Sequence, residues 1–544
     1  MASFLESIDS ADRRVSLRDR AVQIGRHPSN DIVLKDDLAS RYHCVIEPAD
    51  GGFRVRDLGS RNGTNVNDEK VDHRVLRSGD VIRVGTHEFR FRTESAAASN
   101  GASMQTRTGS PLTTPKLAKT GPDWVKSLVA TIDHLPEDRT LDPKNVVVID
   151  ARGQRSGALQ GASAGAVAAK LCLVLAARAR ATDIHIEPKE ETSLLRVRVD
   201  GQMVTITEFP QDVARLVLGL FRTACHIRET GREAITDGHF SARFGERRVD
   251  YRASFTPSIH GQKLVLRVLD LRHSPKSLRE LGLSPHMLQR VEGVCEATQG
   301  MVLVCGPTGS GKTTTLYNCM RAIDREARNV ITIEDPVEYS LEGVTQIPVD
   351  DQQGKDFSNV LRSVLRQDPD VILVGEIRDD ETARTAMRAA MTGHLVFSTV
   401  HAKDTISSVF RLLDLGVEPF LVANSLNVVL AQRLVRSLCP ECKQPIPLKP
   451  GVATKMGRYA QGVSKTYGPV GCERCLKTGY QGRQAIYEML EFNDELRDVV
   501  LNAPSIQAMK QAIAGDIFTT LEQSGWQLAV RGDTSLQEVE RATG

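Results

Sequence analysis

Residues 306–313, Gly306-Pro307-Thr308-Gly309-Ser310-Gly311-Lys312-Thr313, constrain this chain more than any other stretch. They fit G-x-x-x-x-G-K-[ST], a loop whose backbone N–H groups wrap nucleotide phosphates. The apolar run Met301 to Cys305 predicts a buried strand before it. Thr314 to Ala322, free of Gly and Pro, predicts a helix after it. The motif needs that strand–loop–helix order, because the glycines admit the phosphates to the backbone and the helix N-terminus favours their charge. In such a loop Lys312 neutralises β- and γ-oxygens and the Thr313 hydroxyl holds Mg²⁺. Residues 306–314, with Thr314 at the helix start, form the expected ATP-binding set.

From about residue 285, apolar strand candidates at 301–305, 330–333, 371–374 and 395–400 alternate with helical stretches. That alternation predicts a parallel α/β core, whose ligands bind beyond the carboxyl ends of the strands. Glu334-Asp335-Pro336-Val337-Glu338 follows the second strand and Gly375-Glu376 the third, while His394 and His401 bracket the fourth. Attack on a γ-phosphate needs one carboxylate to help hold Mg²⁺ and another to polarise water. Glu338 and Glu376 are the candidates, and the residues alone do not divide the two roles between them.

The chain has 544 residues, enough for three to four domains. Its 70 basic and 68 acidic residues leave a net charge of +2, which argues against a protein that coats nucleic acid. Ala164 to Ala181 is interrupted by Lys170, Arg178 and Arg180 and predicts an amphipathic helix rather than a membrane span. Met1 to Arg14 carries Glu6, Asp9 and Asp12 and has no apolar signal core, so a cytoplasmic protein is expected.

Residues 15–92 show short alternating runs between turn signals such as Gly51-Gly52, Asn62-Gly63 and Ser78-Gly79-Asp80, which predicts an all-β sandwich. From Thr93 to Pro122, Ala, Ser, Thr, Gly and Pro dominate, as in a flexible tether. Residues 123–160 show no clear pattern, 161–270 mix helix and strand, and the last sixty look helical. The expected order is a β-sandwich (1–95), a linker (96–122), an α+β domain (123–272) and an α/β domain with a helical tail (273–544).

Six cysteines, at 44, 172, 225, 295, 305 and 319, are scattered and read as small core residues. The other four form two C-x-x-C pairs, Cys439/Cys442 and Cys472/Cys475. Four thiolates suit a closed, structural Zn²⁺ site spanning 439–480. A redox-active pair is the alternative.

The motifs together resemble those of the ATPases that power type II secretion and type IV pilus assembly. The Asp box of that family looks like Ile333 to Glu338, its Walker B like Val371 to Glu376 with Ile377-Arg378-Asp379, and its His box like Thr392-Gly393-His394 through His401. The resemblance covers about 161–544 and also takes in Gln432 to Arg436 and Gly479 to Arg483. It implies a Mg²⁺-dependent homo-hexamer acting on an inner-membrane platform protein, with Glu338 as general base, Glu376 organising Mg²⁺ and His401 near the γ-phosphate. It also implies an arginine finger from the preceding domain of an adjacent subunit. Arg196 to Gly201 and Asp250-Tyr251-Arg252 resemble the motifs of that domain. Asp237-Gly238-His239 stands where the family usually has Asp-Gly-Arg, so Arg252 is the leading finger, ahead of Arg243 and Arg267. The tetracysteine segment resembles assembly and secretion members rather than retraction motors.

Gly25 to Asn30, Ser40-Arg41-Tyr42-His43 and Gly59 to Thr64 resemble a forkhead-associated (FHA) domain, which binds phosphothreonine. The resemblance gives Arg26, Ser40 and Arg41 to the phosphate, Asn62 to the peptide backbone and Arg61 to the rim, with Gly25 and His43 structural. Two other readings remain: a phosphothreonine-binding scaffold with a nucleotide-sensing ATPase portion, and a DNA-transfer ATPase. The intact set Lys312, Thr313, Glu338, Glu376 and His401 weighs against the first, and the cysteines and balanced charge weigh against the second.

Overall fold

The computed structural model describes residues 2–7, 14–17, 21–27, 30–34, 36, 38–49, 52–67, 69–94, 122–136, 138, 140–227, 234–350, 354–513 and 518–544. Thr93 and Glu94, at the start of the predicted tether, belong instead to the strand His87–Glu94; the rest of the tether apart from Pro122, and Pro28-Ser29 of the first FHA-like motif, lie outside the described residues. The chain divides into two compact units, 1–112 and 113–544.

The first unit is a β-sandwich of a six-stranded and a five-stranded sheet. Gly52–Asp57 shows the pattern that drives it, with Phe53 and Val55 buried and Arg54 and Arg56 exposed. The first strand of the sandwich precedes residue 15, where the alternating runs begin, and lies within the expected 1–95. Ala2–Ser7 pairs with both Arg14–Leu17 and His87–Glu94, and Phe4 and Leu5 enter the core. Only these two large apolar residues mark that strand, too few to register as periodicity.

The second unit opens with a seven-stranded antiparallel sheet. Its order is Val146–Ile149, Thr236–Phe244, Arg247–Ser258, Gly261–Leu269, Ala181–Pro188, Thr192–Val199 and Gln202–Pro210. Helices Asp123–His134, Ala164–Ala179 and Gln211–Ala224 pack into its core, where Phe240 stacks between Phe221 and Tyr251 at centroid distances of 5.3 and 4.9 Å. The helix Ala164–Ala179 is not amphipathic as expected. Nearly all of it is buried, because neighbouring helices and the sheet cover it on several sides. Arg178 meets the main chain there, donating to Ile132 O at 3.2 Å. Residues 123–160, unreadable in the sequence, supply a helix and an edge strand to this layer.

A second seven-stranded sheet follows in the order Thr345–Pro348, Val330–Glu334, Val371–Val374, Leu395–Val400, Gly300–Cys305, Leu426–Leu438 and Tyr480–Glu491. All neighbours are parallel except the last pair. Gly300–Cys305, Val371–Val374 and Leu395–Val400 are buried throughout, as a sheet covered on both faces requires. The helical tail, 494–543, packs back onto this sheet. Glu538, fully buried, accepts from Arg436 N at 3.0 Å and from Arg436 Nη2 at 2.5 Å.

Candidate functional site

The strand Gly300–Cys305 lies between two parallel neighbours, so its carboxyl end is fixed. The loop that leaves it is shaped by three glycines with φ of 153°, 79° and 89° at 306, 309 and 311. At Gly306 a Cβ would meet Gln432 O and Ser310 Oγ, each at 2.6 Å, so no side chain fits there. Helix Lys312–Ala322 begins at Gly311, which offers no capping side chain, whereas Asp379 and Asp404 cap neighbouring helices. Its first N–H groups are thus open to an anion. The buried Ser310 hydroxyl also has no partner. Lys312 Nζ donates to Gly306 O at 2.8 Å and Pro307 O at 3.2 Å, which holds the ammonium in the mouth of the loop. Burial lowers its pKa, and the charge of Glu376 opposes that shift.

The other strand ends bring the acids and the imidazole to the same edge. Glu376 follows Val371–Val374, pairs with Arg378 and lies 3.4 Å from His401 Nε2. Arg378 also reaches Asp335 Oδ2 at 3.3 Å. Glu334 is spent on structure: it is buried and accepts from Tyr317, from Thr332 Oγ1 at 2.6 Å and from Gln346 Nε2 at 3.1 Å. Glu338 is 38% exposed, and Arg252 Nη1 lies 3.9 Å from its Oε2. Arg252 Nη2 donates to Val337 O at 3.0 Å. The family resemblance gives Arg252 to an adjacent subunit, yet here it meets the acid of its own chain. Arg243 is exposed, and Arg267 lies 3.9 Å from Asp183.

Beside the loop a cleft of roughly 560 Å³ opens between the two sheets. Gly311, Thr314, Gly282, Leu434, Asp200 and Arg483 are among the residues lining it.

Cys439, Cys442, Cys472 and Cys475 place their sulfurs within 4.8 Å of one another. Three Sγ–Sγ separations are 3.9, 3.9 and 3.7 Å. A tetrahedron with metal–sulfur bonds of about 2.3 Å has edges of about 3.8 Å, so the cluster fits Zn²⁺. These separations are far longer than a disulfide bond of about 2.05 Å. Backbone N–H groups of Gly471, Cys472 and Gly479 donate to the sulfurs at 3.2 to 3.3 Å, an arrangement that favours thiolates.

In the β-sandwich, three loops converge. Arg26 N donates to Ser40 O at 3.0 Å, Arg61 N to Ser40 Oγ at 3.0 Å and Asn62 Nδ2 to Leu38 O at 2.7 Å. Gly25 allows this approach, since a Cβ would lie 2.5 Å from Arg41 O. Buried His43 braces the loops, taking Ser40 N on Nδ1 at 3.1 Å and reaching Gly63 O at 3.1 Å through Nε2. Asp57 organises the third loop: burial would raise its pKa, but hydrogen bonds from Ser60 and Thr64 hold it down. Arg26, Arg41, Arg61 and Asn62 all stand exposed around Ser40.

The family model for "Type II/IV secretion system protein" matches residues 166–541. The chain belongs to this family. An FHA domain model matches residues 22–85 of the same secretion ATPase. Type II secretion system protein E of Pectobacterium carotovorum subsp. carotovorum is 42% identical over 371 residues, covering 68% of this chain and 74% of that protein. Type IV pilus assembly ATPase PilB of Myxococcus xanthus is 40% identical over 378 residues, covering 68% and 66%. The solved structure of the ATPase DotB of Legionella pneumophila superposes with a TM-score of 0.53 at 20% identity, covering 69% of this chain and 95% of that one. That likeness establishes the fold.

The secretion ATPase therefore gathers Lys312, Glu376 and His401 beside the phosphate loop, and Glu338 beside Arg252. Sequence reasoning gave no role to Arg378, Asp200 or Arg483. Arg378 had a local signal, a guanidinium two residues after the strand-end acid. Asp200 and Arg483 each lie in a segment that resembles the family, but nothing local signals their pairing, which only the tertiary fold brings about.

Proposed function

We propose that this secretion ATPase works as a Mg²⁺-dependent homo-hexamer that drives pilus or pseudopilus assembly through an inner-membrane platform protein. Among the described residues no helix is long and apolar enough to cross a membrane; in this reading the platform protein supplies the contact with it. The convergence of Lys312, Glu376 and His401 at one sheet edge carries the catalytic reading. In it, residues 306–314 wrap the phosphates of ATP, Thr313 and Glu376 hold Mg²⁺, Glu338 polarises water and His401 faces the γ-phosphate. A nucleotide held there points its base into the neighbouring cleft, against Leu434 and Arg483. Zn²⁺ on the four cysteines closes the 439–480 segment.

Arg252 is the arginine that completes the site. Its replacement by Ala is expected to lower kcat by about 10³-fold or more with little change in ATP affinity. Steady-state ATPase assays over a dilution series test which site it serves. A rate per subunit that falls as the oligomer dissociates supports a finger acting on a neighbour. A flat rate down to monomer confines Arg252 to its own chain.

The FHA domain recruits the motor to a phosphothreonine-bearing partner. Arg26 supplies the charge, Ser40 and Arg41 complete the phosphate contacts and Asn62 takes the peptide backbone. Phosphothreonine peptides should bind the full chain at least about tenfold tighter than their unphosphorylated forms, and Arg26→Ala should cost about 1.5–3 kcal/mol. Calorimetry that finds no gain on phosphorylation across a degenerate peptide pool rejects this role.

A further inference from the structure

The tip of one hairpin in the antiparallel sheet enters the nucleotide cleft. Strands Thr192–Val199 and Gln202–Pro210 are joined by Asp200-Gly201 alone, with Val199 opposite Gln202. Both turn residues have positive φ, 49° and 83°, as a tight two-residue hairpin demands. The turn aims the Asp200 side chain away from its own sheet and into the other half of the unit. There its Oδ2 accepts from Gly482 N at 2.7 Å, and its Oδ1 lies 3.6 Å from Arg483 Nε. The side chain is only 9% exposed, and Arg180 and Arg436 add positive potential around it. A carboxylate buried this far is costly unless it is paired and hydrogen-bonded, and both partners come from one two-residue segment. Arg483 itself lines the cleft with Gly311 and Thr314 of the phosphate loop region.

We propose that Asp200 is a positioning residue for ATP, holding the Arg483 guanidinium against the adenine base. The inference rests on the reading above that the base occupies this cleft. Asp200 touches no substrate and acts through Gly482 and Arg483. It makes base recognition depend on docking of the antiparallel-sheet subdomain against the ATPase sheet. With the two halves apart, Arg483 has no fixed direction. By linkage, a base seated in the cleft favours the docked arrangement by the same factor.

The test compares full-length wild type, Asp200→Ala, Asp200→Asn, Arg483→Ala and the Asp200→Ala/Arg483→Ala double variant. Each is titrated with ATP and with inorganic tripolyphosphate, which has the phosphates but no base. Asp200→Ala should weaken ATP binding about tenfold, leave tripolyphosphate affinity unchanged and raise KM while sparing kcat. Asp200→Asn keeps the volume and an acceptor for Gly482 N, which guards against misfolding, and should show a smaller loss of the same kind. In the Arg483→Ala background, Asp200→Ala should have no further effect. Equal losses for ATP and tripolyphosphate, wild-type ATP affinity in both Asp200 variants, or additive losses in the double variant would overturn the assignment. If Arg483→Ala leaves the ratio of ATP to tripolyphosphate affinity unchanged, the base lies elsewhere, and the reading of the cleft fails with it.

Discussion

Replacing Glu338 by Gln should lower kcat by about 10²–10⁴-fold while ATP still binds with nearly wild-type affinity. The size follows from the general-base role proposed for Glu338, and the selectivity follows from the setting. Glu338 stands off the phosphate loop, partly exposed, with the Arg252 guanidinium 3.9 Å away. A neutral isostere there leaves no buried, uncompensated charge and disturbs no ligand of the phosphates. Glu376→Gln should behave differently. Its carboxylate supports the charge of Lys312 and lies 3.4 Å from His401, so the loss should fall on Mg²⁺ and nucleotide affinity as well as on turnover. Steady-state hydrolysis together with equilibrium titration of a nucleotide analogue separates the two. Full turnover by Glu338→Gln would remove it from the mechanism.

Stripping the proposed Zn²⁺ from the four cysteines, or replacing Cys472 and Cys475 together by Ser, should cost several kcal/mol and lower the melting temperature by about 10 °C or more. The effect should spread beyond the knuckle. Leu476, next to Cys475, packs against the core of the antiparallel sheet, and Cys439 N donates to Gly479 O at 2.9 Å. Thermal unfolding and elemental analysis of the same samples check this. A chelated protein that melts with the untreated one would show that the cysteines do not depend on a metal.

The contrast between legible and hidden parts follows from the range of the interactions. The phosphate loop, its strand and its helix lie within some twenty consecutive residues, so composition and spacing display them. Glu338, Glu376 and His401 were readable because each follows a short apolar strand. Leu426–Leu438 was not: its leucines at 426, 430, 434 and 438 recur every four residues, as in a helix, and sheet pairing overrides that spacing. The helix Ala164–Ala179 misled for a related reason. Lys170 and Arg178 within it and Arg180 at its end suggested a wet face, but long side chains can carry charge to a protein rim while their stems stay buried. The Asp200–Gly482 contact spans 282 residues, and no local pattern announces such a distance.

The ion pair between Arg436 and Glu538 has a bearing on where the ATPase half ends. Arg436 sits near the end of strand Leu426–Leu438, paired with Arg483 of the edge strand, while the carboxylate that neutralises it lies 102 positions further on. A chain that ends at the cysteine knuckle lacks the carboxylate that accepts from both this guanidinium and its backbone N–H. The C-terminal helix that carries Glu538 is thus an integral part of the ATPase half: without it the Arg436 guanidinium loses its hydrogen-bonded carboxylate.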